Sequence, residues 1–226
     1  MCIRDSTHLV QNYDLRSLPD KWANKAALQE ALGLEATRDR PLLGFVGRLV
    51  EQKGLELMLP EVERILDSPA QLVVLGTGEA QYESRLRDLA AKHPGAMSVA
   101  LAYDEGLAHR IEAAADIFLM PSLFEPCGLN QLYSLRYGTL PVVRAVGGLA
   151  DTVEDATASA LAAGSATGFV FREPDSAEFL EAVRRAIRLW SDPPAWRKVQ
   201  KTAMSRDFSW GQSADRYLAL YRSAVQ

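Results

Sequence analysis

The chain is 226 residues long, with 48% hydrophobic and 24% charged residues, enough for one large α/β domain or two small ones around a sizeable core. Its formal net charge is −4 with acidic and basic residues interspersed, which leaves no basic face for nucleic acid. No apolar run approaches the ~20 residues of a membrane helix, and the N-terminus lacks a signal-peptide apolar region. The two cysteines, Cys2 and Cys127, fit neither a metal-ligand spacing nor a disulfide framework. The expectation is a soluble, cytoplasmic protein with no thiol-bound metal and no nucleic-acid or membrane partner.

Met1 to Ser6 reads as an assembly remnant leading into a polar, loop-like stretch. The first periodic element is a helix after Asp20, with Leu28 and Leu32 one turn apart and Gly33 as its stop. Opening on linker-like sequence suggests that a longer chain preceded it, so we divide the chain into a leader, residues 1–40, and a main α/β domain, residues 41–226. Pro41 to Val46 is a short apolar run. It is followed by Gly47, Arg48, a polar turn through Lys53 and Gly54, and a helix with Leu55, Met58, Leu59, Val62 and Leu66 on one face. Gln71 to Leu75 is a second strand, and Gly76-Thr77-Gly78 leads into a helix carrying Tyr82, Leu86 and Leu89 that ends near His93, Pro94 and Gly95. Met97 to Leu101 is a third strand, followed by Tyr103 and a short helix from Gly106 to about Ala114.

Asp116 to Tyr137 reads as strand, turn and helix, with chemistry in the turn: the carboxylate of Glu125, the thiol of Cys127, and Gly128, whose missing side chain lets a ligand approach the backbone. The N–H groups of Gly128, Leu129 and Asn130 fall at the helix start, where unpaired donors favour an anion. A carboxylate beside an anion site is reconciled by a ligand carrying both hydroxyls and phosphate, as a nucleotide sugar does. Leu140 to Val143 is a fifth strand, and Arg144 to Leu149 a Gly-Gly turn into a segment that Asp151 caps. Asp155 to Ser165, rich in Ala and Ser, reads as loop. Phe169 to Phe171 is a sixth strand, Ser176 begins a long amphipathic helix that Pro193-Pro194 breaks, and Ser209 with Gln212 makes a capping box for a last helix bearing Ala214, Tyr217, Leu218 and Tyr221.

Strands alternating with helices predict a Rossmann-like, doubly wound parallel sheet, whose ligands sit at the carboxyl ends of the strands. Arg48, Lys53, Tyr103, Glu125 and Gly148 all follow predicted strands, so the fold gathers them on one edge. A dinucleotide-binding oxidoreductase reading of Gly76-Thr77-Gly78 fails, because the third glycine of that fingerprint falls at Gln81.

GRLVEQKGL at Gly47 to Leu55, Tyr103, HRI at His109 to Ile111, FEPCGLNQLYSLRYGTLPVVR at Phe124 to Arg144 and GGLADTV at Gly147 to Val153 closely resemble bacterial glycogen synthases and plant starch synthases. The resemblance runs from about Asp20 to the end. It implies the C-terminal, nucleotide-sugar-binding domain of a two-domain GT-B glycosyltransferase, with the N-terminal domain and its Lys-x-Gly-Gly motif absent. It implies transfer of glucose from ADP-glucose to the non-reducing end of an α-1,4-glucan with retention of configuration, weak without the other half. Arg48 and Lys53 match the family's cations on the diphosphate, and Glu125 its essential acidic residue beside the glucosyl ring. Tyr103 matches the aromatic against adenine. The backbone of Cys127, Gly128 and Leu129 is expected on glucose and phosphate, with the Asn130 amide on the same phosphate and Gly147 and Gly148 in a nearby loop. His109 also matches and reads as structural. No carboxylate pairs with Glu125, so front-face substitution, with ADP accepting the acceptor's proton, fits better than double displacement. With no Asp-x-Asp pair, no metal or cofactor is expected. A non-catalytic nucleotide-sugar-binding module and a transferase using UDP-glucose stay open as alternatives.

Overall fold

The computed structural model describes residues 6–224, and of Gln212, Ser213 and Arg216 the backbone alone. Residues 1–5, Cys2 among them, therefore lie outside the described residues, as does the Gln212 side chain of the expected capping box. Six parallel strands form one sheet: β1 (Leu42–Val46), β2 (Gln71–Leu75), β3 (Met97–Ala100), β4 (Ile117–Met120), β5 (Leu140–Arg144) and β6 (Phe169–Phe171). Their order is β3-β2-β1-β4-β5-β6. The chain builds outward from β1 to one edge, returns to lay β4 against the other side of β1, and then builds to the opposite edge. The loops after β1 and β4 thus leave neighbouring strands in opposite directions, which opens the crevice where such sheets bind ligands.

The strands read as continuous apolar runs because both faces are covered. Along β2, Leu72 and Val74 join one buried cluster while Val73 and Leu75 join the other, the two-residue alternation of a pleated strand. The connecting helices are α1 (Lys21–Ala31), α2 (Leu55–Met58), α3 (Val62–Leu66), α4 (Ala80–Lys92), α5 (Glu105–Ala114), α6 (Asn130–Arg136), α7 (Gly147–Thr152), α8 (Ala158–Ala163), α9 (Ser176–Trp190), α10 (Pro193–Ser205) and α11 (Trp210–Ala224). Asp175 caps α9 by accepting from the N–H groups of Ala177 and Glu178, and Phe179, Val183 and Ala186 bury its apolar stripe. Burying a side chain such as Phe179 or Val183 contributes roughly 1.5–3 kcal/mol.

Three expectations are corrected. The helix expected from Leu55 to Leu66 is broken by a 3-10 turn at Leu59–Glu61, since Pro60 has no N–H to give to the preceding turn. The Gly-Gly turn is itself the first turn of α7, which places Asp151 near that helix's end rather than at its cap. The Ala/Ser-rich loop contains α8, capped by Thr157 and stopped at Gly164 with φ 72; alanine's high helix propensity outweighs the loop-like composition.

The leader folds onto the domain. Tyr13 donates its hydroxyl to Tyr137 O at 2.7 Å, and the buried Lys21 Nζ donates to Ala113 O at 2.6 Å and Thr139 Oγ1 at 2.7 Å. Lys25 pairs with Asp116 at 2.8 Å, and Asp116 also accepts from Leu42 N at 2.8 Å, so α1 is tied to the start of β1. Among the described residues no helix is long and apolar enough to cross a membrane.

Candidate active site

The crevice between the ends of β1 and β4 brings two loops together. Gln52 O accepts from Leu123 N at 2.9 Å, and the Gln52 side-chain amide donates to Phe124 O at 2.9 Å. This zipper places Lys53, from the first loop, against Glu125, from the second: Lys53 Nζ donates to Glu125 Oε2 at 2.5 Å. Ser122 Oγ donates to the same oxygen at 3.1 Å. Glu125 is only 9% exposed, so its charge is fixed in place by these two donors. Arg48, earlier in the first loop, donates Nη2 to Gln52 Oε1 at 3.3 Å.

Three further contacts hold the Glu125 turn. Arg144, at the end of β5, donates Nε to Ser122 O at 3.0 Å and Nη2 to Leu123 O. Gln131, on α6, donates Nε2 to Cys127 O at 3.0 Å and Gly128 O at 3.1 Å. From below, Gly148 N donates to Glu125 O at 3.2 Å and Pro126 O at 3.1 Å. A Cβ at Gly148 would lie 1.9 Å from Cys127 O, so that glycine serves the turn's backbone. At Gly128, φ is +70°, and the space a Cβ would fill is taken by the Gln131 side chain at 2.3 Å. At Gly148 the neighbour is rigid backbone, so packing inside the protein requires glycine there, whereas at Gly128 the positive φ requires it and the neighbour is the end of a side chain.

Beside this pair lies a cavity of about 380 Å³ lined by Val46, Arg48, Leu75, Tyr103, His109 and Asn130 among others. Tyr103 is 94% exposed on its rim. Asn130 donates Nδ2 to Val46 O at 2.9 Å, so half of its expected phosphate-binding amide ties α6 to the end of β1. Its other N–H is unassigned to that bond. Leu129 is 54% exposed, and the Cys127 thiol is free and exposed. His109 stacks on His8 with ring centroids 5.0 Å apart and lies 3.3 Å from the Tyr137 hydroxyl through Nδ1. Burial and the neighbouring His8 hold its imidazole below the ordinary value. His93 is the C-cap of α4, as its position suggested. Among the described residues no cluster of three His, Cys, Asp or Glu side chains is placed to share a metal ion.

Arg48, Lys53, Tyr103, Glu125, Cys127, Gly128, Leu129, Asn130, Gly147 and Gly148 therefore fall on one edge of the sheet. Sequence reasoning missed Ser122, Gln131 and Arg144, and did not single out Glu112, which lines the cavity. Gln131 and Arg144 lay within a quoted motif, but their bonds to loop carbonyls have no spacing signature. Glu112 was legible as a charged residue at the i+7 position of the helical stripe Glu105, Ala108, His109.

The doubly wound sheet thus has cations after its first strand and a buried carboxylate after its fourth, on the edge that also carries an aromatic-rimmed cavity. The chain belongs to the glycosyl transferases group 1, whose family model matches residues 33–203. It is 54% identical over 214 residues to the glycogen synthase of Cellvibrio japonicus (strain Ueda107), covering 95% of this chain and 44% of that one. It is 52% identical over 218 residues to glycogen synthase 1 of Methylococcus capsulatus (strain ATCC 33009 / NCIMB 11132 / Bath), covering 96% and 44%. Among solved structures, the catalytic domain of starch synthase IV from Arabidopsis thaliana, bound to ADP and acarbose, superposes with a TM-score of 0.90 at 35% identity. That match covers 99% of this chain and 46% of the starch synthase chain. The chain thus spans a little under half the length of these relatives.

Proposed function

We propose that this chain is the nucleotide-sugar-binding half of a retaining glucosyltransferase that moves glucose from ADP-glucose to the non-reducing end of an α-1,4-glucan, as a glycogen synthase working in the cytoplasm. The observation that carries the proposal is the Lys53–Glu125 pair at 2.5 Å beside the cavity of Arg48 and Tyr103. Relatives at 52–54% identity are glycogen synthases, and the starch synthase structure holds ADP and acarbose, which supports an adenine nucleotide and a glucan as the ligands.

In this reading Tyr103 stacks on the adenine, and Arg48 and Lys53 meet the diphosphate. A lysine ammonium has three hydrogens; one goes to Glu125, and two are available to phosphate oxygens. Lys53 then bridges the leaving group to the carboxylate, so the negative charge growing on ADP and the positive charge growing on the glucosyl ring are stabilised by one fixed assembly. Glu125, locked by Lys53 and Ser122, stabilises the oxocarbenium-like ring without forming a bond to it. The turn from Cys127 to Asn130 presents backbone donors to glucose and phosphate, and Gly147 and Gly148 support that turn from below. The acceptor's proton passes to the departing diphosphate, and no metal or cofactor is assigned a role. The glucan is held by the other half of the enzyme, because transfer needs donor and acceptor in one closed cleft.

The test joins this chain to the N-terminal half of a glycogen synthase and follows incorporation of radiolabelled glucose into glycogen from ADP-glucose and, separately, UDP-glucose. Transfer from ADP-glucose by the joined protein and little by this chain alone is expected. Strong elongation by this chain alone, or preference for UDP-glucose, would overturn the corresponding part of the reading.

A further inference from the structure

Glu112 is 3% exposed, lines the cavity, and its Oε2 is buried with no hydrogen-bond partner among the described residues. An unsatisfied buried carboxyl oxygen is costly, and a leucine of similar size would serve the fold better. Its nearest cation does not bond to it. Lys21 Nζ gives its short bonds to Ala113 O at 2.6 Å and Thr139 Oγ1 at 2.7 Å, and reaches only the backbone oxygen of Glu112, at 3.4 Å. Burial raises the Glu112 carboxyl to about 8, with Lys21 opposing. Burial therefore favours the uncharged acid, which has one O–H to donate and a carbonyl oxygen to accept.

The cavity that Glu112 lines has an apolar part, Val46, Leu75, Ala108 and Tyr133, suited to a flat, uncharged ligand portion, and a cation, Arg48, suited to a phosphate. We propose that Glu112 is a specificity-determining residue of this cavity, hydrogen-bonding the nucleoside portion of the bound nucleotide and thereby gaining the partner its Oε2 lacks. The proposal rests on the nucleotide reading given above. It also accounts for the polar stripe on α5, which runs from Glu105 at the mouth through His109 to Glu112.

The experiment titrates ADP and inorganic pyrophosphate into the wild-type chain, Glu112→Gln and Glu112→Leu, and measures Tm for each. Glu112→Leu is expected to weaken ADP binding about tenfold or more, the scale of one buried hydrogen bond, while pyrophosphate affinity and Tm hold or Tm rises. Glu112→Gln, which keeps a donor and an acceptor, is expected to stay within about threefold of wild type. Wild-type ADP affinity in Glu112→Leu, equal losses for ADP and pyrophosphate, or an affinity loss that tracks a falling Tm would each overturn the proposal. If the wild-type chain binds pyrophosphate but not ADP, the nucleotide reading itself fails and the proposal with it.

Should Glu112→Leu not fold, the pH profile of Glu112→Gln decides. Wild-type ADP affinity is expected to fall as pH passes about 8, and that of Glu112→Gln to fall less. The other titratable groups are Lys21 and Tyr13, coupled to the carboxyl, and, lining the same cavity, Glu105 and His109 on its own helix, Tyr103, Asp104, Tyr133 on α6 and Arg48. All are present in both proteins, but Lys21 and Tyr13 are coupled to the Glu112 charge, so Glu112→Gln with Lys21→Met is compared with Lys21→Met alone to isolate the carboxyl. Parallel profiles would overturn the proposal.

Discussion

Replacing Lys53 with methionine keeps most of the side chain's volume and removes the charge that Glu125 faces. The pair is intermediate in burial, with side-chain exposures of 22% for Lys53 and 11% for Glu125. Removing one partner of a fully buried pair costs about 3–5 kcal/mol, and an exposed pair is worth at most about 1 kcal/mol. Glu125 in Lys53→Met keeps the bond from Ser122 Oγ at 3.1 Å, so a loss of about 2 kcal/mol follows. The converse change, Glu125→Gln, frees the longer and more exposed partner to reach water, and should cost about 1 kcal/mol. For a chain of this size 2 kcal/mol lowers Tm by about 4–8 °C. Urea denaturation of wild type, both single variants and the double variant closes a double-mutant cycle, with an expected coupling of about 1–2 kcal/mol. A coupling below about 0.3 kcal/mol would refute the reasoning, since it would mean that the two side chains do not depend on each other.

In an enzyme completed with an N-terminal half, Glu125→Gln should cut turnover by roughly 10²-fold or more while ADP-glucose affinity changes little, because the ring's charge exists only in the transition state. Near-normal turnover at saturating donor would move the chemistry to donor positioning by Arg48 and Lys53. Gly148→Ala sets a Cβ 1.9 Å from Cys127 O, against backbone that cannot rotate away, so it should both lower Tm and weaken ADP binding by displacing the Glu125 turn. Unchanged Tm and affinity in that variant would show that the turn does not rest on α7. Glu112, raised to about 8 from an ordinary 4.5, binds a proton more firmly in the folded chain than in the unfolded one. Its contribution to stability is therefore full below about 4.5 and is lost as pH rises towards about 8. Lys21, pushed down to about 7 by burial, acts in the opposite sense only above that pH. Between pH 5 and pH 7, Glu112→Gln should thus gain Tm relative to wild type, and curves that run parallel would contradict the assignment.

The strands were legible because a sheet covered on both faces needs uninterrupted apolar runs, and Leu42–Val46 and Gln71–Leu75 have them. The gathering of Arg48, Lys53, Tyr103 and Glu125 was legible too, since loops after parallel strands must share an edge. Strand order carries the next step: β4 returns beside β1, so the loops bearing Lys53 and Glu125 become neighbours although 72 residues apart. That step needs tertiary pairing, and the 2.5 Å bond has no local signature. Gln131, Ser122 and Arg144 were missed for the same reason: each acts through a carbonyl or carboxylate whose position is set by another element. The glycines misled in a different way. A glycine in a turn is equally consistent with an approaching ligand and with approaching protein, and at Gly148 the backbone of Cys127 supplies the approaching protein.

The most direct test of the central claim is calorimetric titration of ADP into this chain and into Tyr103→Ala and Arg48→Ala. The account predicts saturable one-to-one binding by the wild-type chain, weakened in both variants without loss of Tm, since Tyr103 is 94% exposed and Arg48 bonds only Gln52 among the described residues. Absence of ADP binding by a folded wild-type chain, or binding that both substitutions leave intact, would contradict it.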